Sequence, residues 1–123
     1  MARSALLVED STLMTRMISI ALNASEEYAI IQAEDSMEAI TKLERGLIPS
    51  LVILDVCISD INKMSLVRKI REVSSCRDIP IIILASEYDS VEIKKEEIPG
   101  ATCRLGKPFK VIELHETLKS LIH

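Results

Sequence analysis

The apolar run from Leu51 to Leu54, followed directly by Asp55, constrains the fold of this chain more than any other stretch. A short continuous apolar run after a turn signal, here Pro49-Ser50, predicts a strand that is buried on both faces. Strands of this kind are typical of parallel sheets that carry helices on both sides. We therefore predict a central strand over residues 50–55 that ends in a carboxylate, at the edge where open α/β sheets bind ligands.

Four more stretches have the composition of strands, and they alternate with stretches whose apolar residues recur at helical spacing. The predicted strands cover residues 5–8, 28–33, 50–55, 78–85 and 101–105. The predicted helices carry apolar stripes within residues 14–22, 39–43, 66–73, 89–97 and 111–121, the fourth being short and weakly patterned. Five strand–helix units in this order predict a doubly wound (βα)5 fold, with a five-stranded parallel sheet of order 2-1-3-4-5 and helices on both faces.

Several residues have the chemistry that helix ends require. Ser11 or Thr12 can cap the first helix, and Asp35 or Ser36 can cap the second, because their side-chain oxygens accept from free N–H groups. Gly46 suits the position just after the second helix, where a left-handed backbone is common. Residues 56–63 are expected to form the loop after the central strand, and Pro108 is expected to begin the last helix.

Size and charge restrict the class of protein. A chain of 123 residues is expected to form a single domain over 1–123, with no room for an output domain. The net charge is −4, and the charged residues form no long run of either sign. Aromatic residues make up only 2% of the chain, so a nucleic-acid partner is not expected. No apolar stretch has membrane-spanning length, and no leader pattern is present, so we expect a cytoplasmic protein without a membrane partner. The cysteines, Cys57, Cys76 and Cys103, have no metal-binding spacing and are expected to be reduced packing residues.

Acidic residues follow two strands that the predicted topology places side by side. Glu9 and Asp10 follow the first strand and Asp55 ends the third, so the three carboxylates meet where the strand order reverses. Carboxylates this close repel one another unless a cation neutralises them, and all-oxygen ligation suits Mg²⁺. Lys107 adds a cation at the same edge. Taken singly, an acid after a strand often only caps the next helix and a lone lysine is usually at the surface; the joint placement is what predicts a site.

These residues, in this order and spacing, resemble the response regulator receiver domain, the CheY-like fold of two-component signalling. The resemblance extends over the whole chain and rests on Glu9-Asp10, Asp55 and Lys107-Pro108-Phe109. It implies a flavodoxin-like sheet in which Asp55 accepts a phosphoryl group from a sensor histidine kinase or a phosphotransferase. It also implies that Glu9, Asp10, Asp55 and the backbone carbonyl of Cys57 hold Mg²⁺, and that Lys107 contacts the phosphoryl group.

Several positions depart from the family pattern, including two among the residues that respond to phosphorylation. The hydroxyl usually found 30 residues after the acceptor aspartate is replaced by Ala85, and a hydroxyl follows one place later at Ser86. The usual aromatic three residues before the lysine is replaced by Arg104. The acceptor chemistry is therefore expected to be intact, whereas the residues that report phosphorylation are atypical.

The leading interpretation is a signalling switch that takes up a phosphoryl group and acts by binding an unidentified downstream protein, rather than an enzyme that turns over substrate. The alternative is a pseudo-receiver, an interaction module that phosphorylation no longer controls. A magnesium-dependent phosphohydrolase is disfavoured, because it would require a second acid two residues after Asp55, and Cys57 occupies that position. Flavin binding is also disfavoured, because it would require a phosphate-binding loop rich in hydroxyl residues and glycine after the first strand, and Glu9 and Asp10 occupy that position.

Overall fold

The computed structural model describes residues 3–9, 11–23, 28–56, 61–86, 102–107 and 110–121. The strands in this part of the chain are β1 (Arg3–Val8), β2 (Tyr28–Ala33), β3 (Leu51–Val56), β4 (Ile81–Ser86) and β5 (Cys103–Lys107). The helices are α1 (Thr12–Leu22), α2 (Ser36–Glu44), α3 (Ile61–Glu72) and α4 (Val111–Leu121), with a 3₁₀ turn at Ser74–Cys76. The helix expected within residues 89–97 lies outside the described residues.

All five strands are parallel and form one sheet in the order β2-β1-β3-β4-β5, as predicted. Helices α1 and α4 cover one face of the sheet, and α2 and α3 cover the other. The strand order reverses between β1 and β3, because the chain first moves outward to β2 and then crosses back. The carboxyl ends of β1 and β3 therefore border the crevice of this doubly wound fold.

Strand β3 lies at the centre of the core. Leu51, Val52, Ile53 and Leu54 are all 0% exposed. Val52 and Leu54 pack in the cluster on the α2 and α3 side, whereas Leu51 and Ile53 pack in the cluster on the α1 and α4 side. Alternation between two buried faces explains why this run is apolar at every position rather than at every second one.

Side-chain caps begin helices α1 and α2. The Ser11 hydroxyl accepts from the Met14 N–H at 3.2 Å, and Asp35 Oδ1 accepts from the Glu38 N–H at 2.8 Å. Each bond satisfies one of the donors that a helix leaves free at its start. Of the two cap candidates that the sequence offered for each helix, Ser11 and Asp35 are the ones used.

Gly46 ends helix α2 as predicted. Its φ of 108° lies in the left-handed region, which glycine adopts without the penalty that a Cβ imposes. The Gly46 N–H donates to the Leu43 carbonyl at 3.1 Å, and the Leu47 N–H donates to the Lys42 carbonyl at 3.1 Å. This pair of bonds is the Schellman motif, which satisfies two carbonyls at the end of the helix.

The ends of two elements around β3 differ from prediction. Strand β3 continues one residue beyond Asp55, because Val56 still pairs with Ala85 of β4. Helix α3 begins at Ile61, although residues 56–63 were expected to be a loop. Apolar spacing predicts the buried face of a helix rather than its first residue, and Leu66, Val67 and Ile70 are buried on that face of α3.

Strand β4 begins at Ile81, three residues later than expected. Pro80 has no N–H to give to a ladder, although its carbonyl accepts from the Val52 N–H at 3.0 Å. The last strand covers residues 103–107 instead of 101–105, so Lys107 is its final residue. Its start is set by Thr102, whose N–H donates to the Ile81 carbonyl at 2.8 Å.

The last helix begins at Val111 rather than at Pro108. Lys110 directly precedes it, and the Glu113 N–H donates to the Lys110 carbonyl at 2.9 Å. The Glu113 carboxylate in turn accepts from the Lys110 N–H at 3.1 Å, which is the returning half of a capping box. Pro108 lies outside the described residues.

Arg71, near the end of α3, holds the turn that leads into β4. One guanidinium nitrogen donates to the carbonyls of Cys76 at 2.9 Å, Arg77 at 3.1 Å and Ile79 at 2.6 Å. Burial lowers the pKa of Arg71, and the nearby Asp78 carboxylate partly offsets this effect. Cys76, in the same turn, is free and buried, as its role in packing requires.

We expect Arg71→Met to lower the free energy of unfolding by about 2 kcal/mol, because three carbonyls lose a charged donor. Urea unfolding measures the change. Arg68→Met is the matched control, since Arg68 is exposed on the same helix and its loss should cost less than about 0.5 kcal/mol. Equal losses in the two variants would contradict this role for Arg71.

Candidate functional site

The acids predicted to form the site lie at the ends of neighbouring strands. Strands β1 and β3 pair in register up to Val8 and Leu54, so the next residue on each strand is Glu9 and Asp55. Side chains alternate along a strand, and Leu7 and Ile53 both lie on the α1 and α4 side of the sheet. Glu9 and Asp55, two residues further on, therefore belong to this same face.

Glu9 is buried, with 2% of its surface exposed, and its polar groups bond both to the residue that caps α1 and to strand β2. Its carboxylate Oε1 accepts from the Ser11 N–H at 2.8 Å. Its main-chain N–H donates to the Ala33 carbonyl at 2.9 Å, and its main-chain carbonyl accepts from the Gln32 side-chain amide at 2.8 Å. Burying a carboxylate is costly, and a nearby cation would lower that cost further than hydrogen-bond donors alone.

Asp55 is half-buried, directly after four residues without exposed surface. It lies within β3, in register with Leu84 of β4, and Val56 follows it as the last residue of the strand. The strand backbone fixes the position of Asp55, and the residue keeps part of its surface exposed. A partly exposed residue on a rigid support suits a group that must meet a second molecule.

The ends of β4 and β5 lie side by side. Ala85 pairs with Gly106, and Ser86 pairs with Lys107. The backbone thus places Lys107 at the same carboxyl edge of the sheet as Asp55, two strands away. The side-chain surroundings of Ala85, Ser86, Arg104 and Lys107 lie outside what the structure describes.

Two of the predicted magnesium ligands, Asp10 and Cys57, lie outside the described residues. Within the described ranges, no group of three His, Cys, Asp or Glu side chains is close enough to form a metal site. The donors that are described nevertheless fit a hard divalent cation, because Glu9 and Asp55 supply carboxylate oxygens on the same face of neighbouring strands. The predicted ligand set as a whole stays a prediction.

Gln32 is a site neighbour that the sequence reasoning missed. It lies in the edge strand β2, where Tyr, Ala and Ile occupy the other positions. Polar residues are common in partly exposed edge strands, so the residue type alone did not mark Gln32 as part of the site. The partner, the Glu9 carbonyl, could not be identified without the register of β1 and β2.

A model of the response regulator receiver domain family matches residues 5–119. The chain belongs to this family. Among similar proteins, chemotaxis protein CheY1 of Helicobacter pylori is 30% identical over 117 residues, which cover 95% of this chain and 94% of that protein.

Solved structures of receiver domains have the same fold. A structure of chemotaxis protein CheY4 of Vibrio cholerae matches with a TM-score of 0.83 and 30% identity, covering 99% of this chain and 100% of that one. The receiver domain of sensor histidine kinase PA1611 of Pseudomonas aeruginosa matches with a TM-score of 0.79 and 26% identity, covering 99% and 98%. That receiver domain was solved with a magnesium ion coordinated in its active site cleft. In the described part of the present chain, no helix has the length and apolar character needed to cross a bilayer.

Proposed function

We propose that this receiver domain accepts a phosphoryl group on Asp55 from the phosphohistidine of a sensor histidine kinase or a phosphotransferase. The observation that carries the proposal is the position of Asp55 at the accessible end of the buried central strand, on the same face as the buried Glu9. A carboxylate on a rigidly placed and partly exposed residue can meet a donor group held by another protein. Membership of the receiver family supports the same assignment.

Glu9, Asp10, Asp55 and the backbone carbonyl of Cys57 are the proposed ligands of Mg²⁺. When bound, the ion would offset the charge of the clustered carboxylates and of the incoming phosphoryl oxygens. Glu9 fits a supporting role, because the Ser11 N–H already occupies one of its carboxylate oxygens. The magnesium ion in the related Pseudomonas aeruginosa receiver domain supports this choice of metal.

In the proposed reaction, an Asp55 carboxylate oxygen attacks phosphorus as the bond from phosphorus to the donor imidazole nitrogen breaks. Such transfers need mainly correct positioning and neutralisation of charge. Lys107, the last residue of β5, is the proposed partner of the phosphoryl oxygens. The protein would then act by binding a downstream protein, as a switch rather than as an enzyme with turnover.

The alternative function is a phosphorylation-independent interaction module. It is favoured by two positions, Ala85 and Arg104, because alanine has no hydroxyl to give a phosphoryl group and burying a guanidinium would cost several kcal/mol without a partner charge. Such a pseudo-receiver would keep the fold described above and lose the chemistry at Asp55 or its consequences.

Incubation with acetyl phosphate tests whether Asp55 has the acceptor chemistry that the proposed function requires. We expect intact-mass measurements to reveal one added phosphoryl group per chain, formed with Mg²⁺ present and reduced to background when EDTA removes the metal. The reason is that the clustered carboxylates repel an anionic donor unless a cation is bound. A chain whose mass does not change at any Mg²⁺ concentration would favour the pseudo-receiver.

A further inference from the structure

We infer that Gln32 is a positioning residue for the metal-binding end of β1, acting through the main chain of Glu9. The inference rests on the proposed function, since it concerns the same magnesium site. Gln32 lies in β2, on the side of β1 opposite to Asp55, and has no predicted part in the chemistry. Its effect on the site would therefore be transmitted by the backbone.

The hydrogen-bond pattern of the sheet explains why this amide is needed. In a parallel pair, a residue gives its N–H to one residue of the neighbouring strand and takes an N–H from the residue two places further on. Glu9 gives its N–H to the Ala33 carbonyl at 2.9 Å, so a continuing ladder would bring the Asp35 N–H to the Glu9 carbonyl. Strand β2 ends at Ala33, however, and Asp35 has become the N-cap of α2. The Gln32 side-chain amide donates to the Glu9 carbonyl at 2.8 Å instead.

This bond fixes one specific peptide group. The carbonyl of Glu9 belongs to the peptide that joins Glu9 to Asp10, and peptide groups are planar. Holding the carbonyl therefore sets the direction in which the chain leaves β1 towards Asp10. With the Ala33 carbonyl holding the N–H and the Ser11 N–H holding the carboxylate, Glu9 is anchored at three of its polar groups.

Other side chains at position 32 would not give this arrangement. An aliphatic residue would match the apolar composition of β2 but would offer no donor, and the buried Glu9 would then have a carbonyl without its bond from Gln32. The amide also brings no net charge to a place next to clustered carboxylates. Outer-shell partners of this kind typically change metal affinity when they are removed.

The test compares Gln32→Met with the matched variant Asn23→Leu. The Asn23 amide oxygen accepts from the Tyr28 N–H at 2.8 Å, so Asn23 also makes a side-chain to main-chain bond, at the opposite end of β2. We expect Gln32→Met to weaken Mg²⁺ binding by about tenfold, as measured by isothermal titration calorimetry or amide chemical shifts. Asn23→Leu should bind Mg²⁺ as the wild type does, although both variants lose some thermal stability. Gln32→Ala repeats the measurement with a side chain too small to crowd the sheet.

The outcomes separate this inference from the function on which it rests. Equal Mg²⁺ dissociation constants for the wild type and both Gln32 variants would overturn the positioning role and leave the proposed function intact. The same would follow if Asn23→Leu lost as much affinity as Gln32→Met, because the effect would then be one of general stability. A wild-type protein that binds no Mg²⁺ would overturn the metal site and the inference together.

Discussion

Asp55→Asn is expected to abolish phosphorylation by acetyl phosphate while the fold survives. Asparagine has almost the same volume as aspartate and keeps the half-buried position in β3, but its amide is not a nucleophile for phosphorus. The substitution also removes one charge from the carboxylate cluster, so the free energy of unfolding without Mg²⁺ should rise. Intact-mass analysis measures the first effect, and urea unfolding measures the second.

Asp35→Asn is the matched control for this experiment. Asp35 is an exposed acid that follows β2 at the same edge of the sheet, and asparagine retains the ability to cap α2. We expect this variant to be phosphorylated at the rate of the wild type. If Asp55→Asn were labelled as fast as the control, another residue would be the acceptor.

The second large effect separates metal binding from contact with the phosphoryl group. Asp10→Ala should weaken Mg²⁺ binding by about tenfold or more, since even outer-shell groups have effects of that size. Lys107→Ala should leave the Mg²⁺ dissociation constant nearly unchanged, because a lysine does not ligate the ion. The Lys107→Ala variant should nevertheless be phosphorylated more slowly at saturating Mg²⁺, because the charge that develops on the phosphoryl oxygens loses the lysine ammonium as its partner.

Magnesium titrations followed by amide chemical shifts measure the first quantity, and intact mass against time measures the second. Lys110→Ala serves as the control for Lys107→Ala, because Lys110 is an exposed lysine three residues further along the chain. An equal loss of Mg²⁺ affinity in Asp10→Ala and Lys107→Ala would contradict the separate roles proposed for them.

The central part of the fold was predictable because burial on two faces produces a distinctive apolar pattern in the sequence. The run from Leu51 to Leu54 is apolar at every position, and packing against helices on both sides requires that. The alternation of strands with helical stripes predicted a doubly wound sheet, because right-handed crossovers leave few topologies, and 2-1-3-4-5 is one of the common strand orders of such sheets. That order predicts that Glu9 and Asp55 lie at neighbouring strand ends.

The starts of β4 and β5 could not be predicted because contacts distant in sequence determine them. The carbonyl of Ile79 is taken by Arg71 of α3, and the N–H of Ile81 donates to the Thr102 hydroxyl at 2.9 Å. Local secondary-structure propensity does not predict either bond. The role inferred for Gln32 has the same origin, since it depends on the register between β1 and β2.

The measurement that tests the central claim most directly is the location of the phosphoryl group within the chain. Borohydride reduces an aspartyl phosphate to homoserine, so treatment of the phosphorylated protein followed by peptide mass spectrometry marks the acceptor residue. We predict that homoserine forms at position 55, that its amount follows the phosphorylated fraction, and that it disappears when EDTA is present during phosphorylation. Homoserine at position 10 or 35, or phosphorylated protein without homoserine at position 55, would contradict the assignment of Asp55 as the phosphoryl acceptor.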